Sequence, residues 1–203
     1  MVGYPGKRLL DLGLVIVAAP LWLPAFAIVG LLVRLKLGTP VLFRQMRPGV
    51  AGRPFEMVKF RSMTDARGED GTLLSDAERL TSFGRKLRAA SLDELPGLIC
   101  VLRGDMSLVG PRPLLMKYLP LYSARHRRRN DVLPGITGLA QVSGRNALTW
   151  PEKFELDVQY VERCSPLLDL KVLFKTIRSV LARHGISAEG DVTMPVFKGY
   201  DDP

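Results

Sequence analysis

The stretch LGLVIVAAPLWLPAFAIVGLLV, residues 12–33, decides how this chain is organised, because it runs for 22 residues without a charged side chain. As an α-helix it would extend about 33 Å, close to the thickness of the hydrocarbon core of a bilayer. A secretory signal peptide has a shorter apolar core and a small-residue cleavage site, whereas this stretch continues through Trp22 and Phe26 to a basic end. The sequence therefore predicts a helix that stays embedded in a membrane.

The flanks and the interior of this stretch leave two membrane arrangements open. Basic residues precede it at positions 7 and 8 and follow it at positions 34 and 36, so the positive-inside tendency would keep both ends in the cytoplasm. Pro20 and Pro24 lie near its middle, and each removes a backbone hydrogen bond and favours a kink. A bent helix would enter and leave by the same face. A helix that tolerates its prolines would cross the bilayer instead.

Composition bounds the remainder of the chain. A length of 203 residues without an internal repeat suits one catalytic unit, and 29 lysines and arginines against 20 acidic residues point to a phosphate-bearing partner. The two cysteines, Cys100 and Cys164, lie far apart and suggest neither a disulfide framework nor a zinc site. We expect a membrane segment over residues 1–37 and a catalytic domain over residues 38–203.

Local patterns predict a mostly helical α+β fold with a short β-hairpin. Apolar runs on both sides of a glycine-containing turn predict the hairpin between residues 41 and 60. Helical periodicity follows over residues 75–90, 150–163 and 167–184, and core packing best explains the apolar stripe of the last segment. The order Ser91-Leu92-Asp93-Glu94 has the form of a capping box, which predicts another helix starting at Ser91.

The pair Asp93 and Glu94 is the first candidate for chemistry. In the first turn of a helix, near Arg88, both carboxylates would be favoured in the ionised form. An ionised carboxylate can act as a nucleophile or bind magnesium. The alternative is that the two carboxylates only stabilise the start of the helix, because acidic residues are common in first helical turns.

Four cations are candidates for contacts with phosphate. Arg112 lies in Gly110-Pro111-Arg112-Pro113, where the prolines hold it on a stiff turn, and Arg145 ends a glycine-containing segment, residues 134–146. Lys59 lies in the second predicted hairpin strand, where alternation places it on the same face as Arg61. Arg88 ends a predicted helix, where favourable interaction with the helix terminus is the alternative explanation. For Arg112 the alternative is an exposed arginine on a structural turn.

The order of these motifs resembles that of the monotopic phosphoglycosyl transferases, the bacterial sugar transferase family. The resemblance covers nearly the whole chain. It rests on these motifs: Lys7-Arg8 with Asp11, Pro24, KFRSM at 59–63, SLDELP at 91–96, GDMS at 104–107, GPRP at 110–113 and PGITG at 134–138. In length and in residues 185–190 the chain is most similar to the small PglC-type members, which transfer a di-N-acetylbacillosamine phosphate in bacterial protein glycosylation.

The resemblance implies a re-entrant membrane helix, broken at Pro20 and Pro24, and an active site on the cytoplasmic face of the bacterial inner membrane. It implies a UDP-sugar as donor, undecaprenyl phosphate as acceptor and Mg²⁺ as cofactor. Asp93 would carry a covalent phosphosugar, and Glu94 would bind magnesium or assist deprotonation of the acceptor. Membrane lipids and downstream pathway glycosyltransferases are the expected partners, and nucleic acid is not.

Two alternatives to this reading remain open. The same chemistry could serve another UDP-sugar, such as an N-acetylhexosamine or a hexose. From a different class, a non-catalytic, membrane-anchored basic module could bind nucleic acid or anionic lipid through Arg125 and Arg127 to Arg129, with strongly salt-dependent affinity. That second alternative leaves the acidic pair unexplained.

Overall fold

The computed structural model describes residues 3–144, 148–181 and 196–200, and it has the mostly helical α+β class that the sequence predicts. The helices are α1 (Lys7–Val17), α2 (Ala19–Leu37), α3 (Asp76–Arg79), α4 (Ser82–Ala89), α5 (Gly97–Arg103), α6 (Ala124–Arg127), α7 (Leu139–Ser143), α8 (Trp150–Arg163) and α9 (Pro166–Leu181). The strands are β1 (Leu42–Pro48), β2 (Pro54–Phe60), β3 (Ser107–Val109) and β4 (Gly135–Thr137). Short 3-10 helices span Val50–Gly52, Leu92–Glu94, Met116–Leu121 and Arg128–Asn130.

The predicted β-hairpin is confirmed. Strands β1 and β2 pair antiparallel, from Leu42 opposite Phe60 to Pro48 opposite Pro54. The turn closes where the Gly49 N–H donates to the carbonyl of Arg53 at 2.7 Å. The inward residues of β2 are buried, so one face of the hairpin contributes to the core while its turn stays at the surface.

A second, parallel pair of strands was not predicted. Strands β3 and β4 align Ser107 with Gly135 and Val109 with Thr137. A Cβ atom on Gly135 would lie 2.1 Å from the backbone nitrogen of Gly110, and one on Gly138 would lie 2.2 Å from the Gly110 carbonyl oxygen. Gly135 and Gly138 therefore allow two backbones to meet.

The predicted helix over residues 75–90 is two helices. Ser75 and Glu78 form a capping box at the start of α3, and the Thr81 hydroxyl caps α4 by accepting from the Gly84 N–H at 3.0 Å. Between the two helices, Leu80 has an extended backbone and forms a β-bridge with Met63. Leu80 is buried, so the break places an apolar side chain that a continuous helix would have directed elsewhere.

The capping box predicted at Ser91 is wrong. Ser91 has a left-handed backbone (φ 55°), and its N–H donates to the carbonyl of Arg88, so it ends α4 and does not begin a new helix. The chain then forms a 3-10 turn, and α5 begins only at Gly97, after Pro96. The Glu94 carboxylate does not cap a helix and pairs instead with two cations from other segments.

The apolar N-terminal stretch is divided at Ala18, between α1 and α2. Pro20 lies at the start of α2, where a missing N–H costs little, whereas Pro24 lies inside α2. Across the division the Trp22 indole N–H donates to the Val15 carbonyl at 2.9 Å. In the described part of the chain, α2 is the one helix long and apolar enough to cross a membrane.

Both N-terminal helices pack on the rest of the chain. Val15 of α1 joins a buried cluster with Met57 and Val101. Val33 of α2 joins another with Phe60. Large apolar side chains on the other sides of these helices are exposed, among them Leu9, Ile16, Val17, Leu21, Ile28, Leu31 and Leu35.

A buried polar cluster fixes the start of α1. The Lys7 ammonium lies 2.6 Å from the Asp169 carboxylate of α9, and both side chains are buried. Tyr4 and Tyr160 donate their hydroxyl hydrogen bonds to the same carboxylate at 2.8 and 2.7 Å. Four groups from three distant parts of the chain therefore satisfy one another, which a buried charge requires.

Helix α9 departs in part from the predicted apolar stripe. Val172 is buried, and Leu168 and Leu173 pack beside it, as core packing predicts. The remaining apolar face is exposed to solvent and comprises Leu167, Leu170, Phe174 and Ile177. The predicted end of this helix, residues 182–184, lies outside the described residues.

The Lys7–Asp169 pair gives a test of this architecture. We expect Lys7→Met to lower the free energy of unfolding by about 3–5 kcal/mol, because it leaves a buried carboxylate without its cation. The double variant Lys7→Met/Asp169→Asn should recover much of that loss, because position 169 then no longer carries a buried charge without its cation. Denaturant titration in one fixed detergent measures both.

The exposed pair Arg125–Glu155 supplies the control, since Arg125→Met should cost less than about 1 kcal/mol. A double variant as unstable as Lys7→Met would contradict this account of the cluster.

Candidate active site

The carboxylates Asp93 and Glu94 lie on the 3-10 turn Leu92–Glu94, between α4 and α5 and against strand β2. Asp93 is only 6% exposed. Among the described residues, no group donates a hydrogen bond to its carboxylate. The Asp93 carboxylate is therefore buried but not held by a hydrogen bond.

Glu94, in contrast, is held from two sides. Its Oε1 atom accepts from Lys59 Nζ at 2.7 Å and from Arg112 Nη2 at 2.6 Å. Lys59 comes from the end of β2, and Arg112 from the turn that follows β3. One carboxylate oxygen thus joins the hairpin, the acidic turn and the GPRP segment.

These surroundings move the two carboxyl pKa values in opposite directions. Burial alone would raise the pKa of Glu94, but the charges of Arg112 and Lys59 outweigh it and hold that pKa well below its usual range. Burial raises the pKa of Asp93, Lys59 acts against this rise, and the neighbouring negative charge of Glu94 adds to it. The expectation that a helix start would favour ionisation of both therefore fails for Asp93, because no helix starts at Ser91.

Arg88 is positioned by close packing of α4 on the segment after β2. A Cβ atom on Gly84 would lie 1.8 Å from the Ser62 carbonyl oxygen, so only glycine allows this approach. Arg88 Nε then donates to Ser62 Oγ at 2.9 Å. From there its positive charge lowers the pKa of Asp93.

Arg112 is supported by Arg129, which the sequence suggested only as part of a basic surface. Arg129 donates from Nη2 to the Arg112 carbonyl at 2.7 Å and pairs with Asp157 at the same distance. Both members of that pair are buried. Arg129 lies in an arginine run that looks like an exposed basic surface, and only its burial distinguishes it.

The rest of that arginine run is largely neutralised by α8. Arg125 pairs with Glu155 at 2.6 Å, and Arg128 pairs with Glu162 at 2.7 Å. Arg127 is exposed. The run therefore loses most of the free positive charge on which a basic binding module would depend.

The structure thus brings Asp93, Glu94, Lys59, Arg88 and Arg112 into one site. Arg145, the remaining predicted phosphate contact, lies outside the described residues, and its role stays a prediction. No cluster of three or more potential metal ligands occurs in residues 3–144, 148–181 and 196–200. The adjacent carboxylates nevertheless suit magnesium, which proteins usually bind through one or two carboxylates together with substrate phosphates.

The chain matches a family model described as bacterial sugar transferase over residues 3–183. It is 57% identical to the uncharacterized sugar transferase EpsL of Bacillus subtilis, over 84% of each chain. It is 41% identical to a UDP-glucose:undecaprenyl-phosphate glucose-1-phosphate transferase of Caulobacter vibrioides, over 86% of this chain and 69% of the relative.

A further relative is a UDP-N-acetylgalactosamine-undecaprenyl-phosphate N-acetylgalactosaminephosphotransferase of Aeromonas hydrophila. It is 37% identical over 88% of this chain and 44% of that longer protein. The extent of the family match, together with two carboxylates and three cations gathered at one site, leads to one conclusion. The chain belongs to the bacterial sugar transferase family and is a phosphoglycosyl transferase.

Proposed function

We propose that this enzyme transfers a sugar 1-phosphate from a UDP-sugar to undecaprenyl phosphate, releasing UMP, through a covalent intermediate on Asp93. The observation that carries the proposal is the contrast between the two carboxylates. Glu94 is fixed by two cations, whereas the neighbouring Asp93 accepts no hydrogen bond from any described residue. An untethered carboxylate beside fixed positive charge suits attack on phosphorus.

The proposed reaction has two displacements. In the first, an Asp93 carboxylate oxygen attacks the sugar-bearing phosphorus, and the bond from that phosphorus to UMP breaks. In the second, an oxygen of the lipid phosphate attacks the same phosphorus, and the bond to Asp93 breaks. The product is a diphosphate-linked lipid sugar, and the Asp93 carboxylate is restored.

Both displacements bring negative groups together, so positive charge must offset the repulsion. Arg112 and Lys59 flank the carboxylates and supply it, and Arg88 adds to the positive field at Asp93. We expect Asp93 and Glu94 to bind Mg²⁺, which would neutralise phosphate charge when bound. Glu94 has one oxygen engaged by cations, so its other oxygen is the candidate ligand or base.

We further propose a re-entrant, monotopic arrangement on the cytoplasmic face of the inner membrane. At its start, the N-terminal segment is tied to the catalytic part by Lys7 and by Arg8, which donates to the Val101 and Leu102 carbonyls. At its end, Arg61 donates to the Leu37 and Thr39 carbonyls. A segment attached at both ends to one body favours entry and exit on one side.

Helix α9 supports this arrangement. Its exposed apolar residues, Leu167, Leu170, Phe174 and Ile177, lie beside the cations Lys171, Lys175 and Arg178. Asp169, its one acidic residue, is buried against Lys7. An apolar face bordered only by cations suits the surface of an anionic membrane.

The sugar is the least determined part of the proposal. Di-N-acetylbacillosamine stays our prediction, which rests on chain length and on residues 185–190, and those residues lie outside the described part. The named relatives use glucose or N-acetylgalactosamine, which favours the alternatives of a hexose or an N-acetylhexosamine.

A donor panel tests the overall reaction. With undecaprenyl phosphate and Mg²⁺ present, we expect UMP release from one UDP-sugar to exceed the release from the others by at least about tenfold, because a pocket that hydrogen-bonds one sugar rejects others. Preference for UDP-glucose would contradict only the prediction of bacillosamine and would leave the proposed reaction intact. Absence of UMP release from every donor would contradict the proposed function.

The nucleophile is tested with donor alone. Wild-type enzyme should release at most one equivalent of UMP and retain a sugar phosphate, which intact-protein mass spectrometry detects and peptide mapping places on Asp93. Asp93→Asn should form no adduct and should lose turnover, because the amide is not nucleophilic.

Glu94→Gln is the matched comparison. If Glu94 serves mainly the second displacement, this variant will accumulate the adduct, and if Glu94 holds magnesium, both displacements will fail. An adduct on another residue, or turnover with no adduct, would contradict the role of Asp93.

The membrane arrangement is tested by single cysteines near positions 3 and 38 in a background in which Cys100 and Cys164 are replaced. Both positions should react with a membrane-impermeant thiol reagent only when the cytoplasmic side is accessible. Replacing Pro20 and Pro24 by leucine should shift part of the population toward crossing, because it removes the kinks. Labelling of the two positions from opposite sides in the parent would contradict the re-entrant arrangement.

A further inference from the structure

Arg47 is a cation near the active site that the sequence did not single out. It is the penultimate residue of β1, lies opposite Phe55 and is half-buried. Its Nη2 donates to Gln45 Oε1 at 2.7 Å. Its Nε is buried without a hydrogen-bond acceptor among the described residues.

No carboxylate of the described chain lies within ion-pair distance of Arg47. Other cations of the hairpin differ in this respect, because Arg44 pairs with Glu56 and Lys59 pairs with Glu94, each at 2.7 Å. An unpaired guanidinium with a buried, unsatisfied N–H is costly and calls for an explanation, and a bound ligand is one that its place beside the site suggests.

Arg47 also lies close to Arg112. Burial lowers the pKa of Arg47, and repulsion from the Arg112 charge is the second cause. The β1 strand packs on the 3-10 helix Met116–Leu121, which follows the GPRP segment in the chain. The strand that carries Arg47 therefore lies beside the segment that follows Arg112, and the two positive charges are close enough to repel each other.

Strand register places Arg47 relative to Lys59. Lys59 lies opposite Phe43, so Arg47 is four residues further along β1 and on the same face of the hairpin. That spacing corresponds to about 13 Å between backbone positions. Arg112 contacts Glu94 beside Lys59 and lies near Arg47, so the three cations form a row.

We propose that Arg47 binds a substrate phosphate group other than the one that Asp93 attacks, and this inference rests on the proposed function. A guanidinium offers a planar pair of N–H groups that matches phosphate oxygens, and the unsatisfied Nε belongs to such a pair. The ligand is either the uridine-side phosphate of the donor or the phosphate of the polyprenyl acceptor. Both are phosphate groups, which a guanidinium binds in the same way.

The test compares Arg47→Ala and Arg47→Lys with Arg44→Ala, in full-length protein held in lipid nanodiscs. Isothermal titration with UDP and Mg²⁺ gives a Kd that does not depend on turnover. Steady-state assays give a KM for the UDP-sugar and a KM for undecaprenyl phosphate. Arg44 is the control because it lies on the same strand but not in the row of Lys59, Arg112 and Arg47. Its charge is already paired with Glu56.

If Arg47 binds the donor, Arg47→Ala should raise the Kd for UDP and the KM for UDP-sugar by about 10- to 100-fold, the contribution of a charge-assisted hydrogen bond. If it binds the acceptor, only the KM for undecaprenyl phosphate should rise by that factor. Arg47→Lys should restore part of the loss, and Arg44→Ala should change each constant by less than about twofold.

Unchanged values for all three constants in a folded Arg47→Ala protein would overturn the inference. Thermal unfolding of each variant establishes folding, and Arg47→Gln, which keeps most of the side-chain volume, replaces the alanine variant if that one does not fold. Wild-type protein that binds UDP but releases no UMP from any donor would contradict the proposed function, while the Kd comparison would still decide the role of Arg47.

Discussion

The pairing of Glu94 with Lys59 and Arg112 is the interaction on which the site depends. One carboxylate oxygen joins the hairpin, the acidic turn and the segment after β3, which are distant in sequence. Because the two cations are occupied by Glu94, they stand beside Asp93 without binding it. The same pairing therefore holds two cations beside Asp93 and leaves the Asp93 carboxylate without a hydrogen bond.

This arrangement is held in place by buried polar groups further from the carboxylates. Arg129 and Asp157 fix the carbonyl of Arg112, and the close approach of Gly110 and Gly135 fixes the strand that leads to it. Arg129 and Asp157 come from different parts of the chain and pair through the Asp157 Oδ2 atom. Removal of one partner would therefore leave a buried charge or displace the backbone that carries Arg112.

The apolar N-terminal helices α1 and α2 are attached to the same framework. The Asp11 carboxylate of α1 accepts from the Leu108 N–H of β3 at 3.2 Å, and Lys7 reaches Asp169 of α9. Strand β3 thus contacts α1 on one side and leads into the Arg112 turn on the other. This continuity suits an enzyme proposed to use a water-soluble donor and a lipid acceptor one after the other at a single carboxylate.

The sequence by itself determined the elements and residues whose signals are local. Alternating apolar runs around a glycine turn specified the hairpin, and uninterrupted periodicity specified the helix Trp150–Arg163. The order of short motifs pointed to Asp93, Glu94, Lys59, Arg88 and Arg112, because each motif keeps its residues in one segment. The long uncharged stretch likewise pointed to a membrane helix.

Only the tertiary structure decided the features that depend on contacts between distant segments. Strands β3 and β4 have three residues each, too few to show a period, and they form only because two glycine-containing segments meet. The capping box predicted at Ser91 does not form because Ser91 adopts a left-handed backbone at the end of α4, and Glu94 instead pairs with Lys59 and Arg112 from distant segments. Arg129 and Arg47 resemble surface arginines in the sequence, since burial and the absence of a counter-ion are properties of the folded chain and not of neighbouring residues.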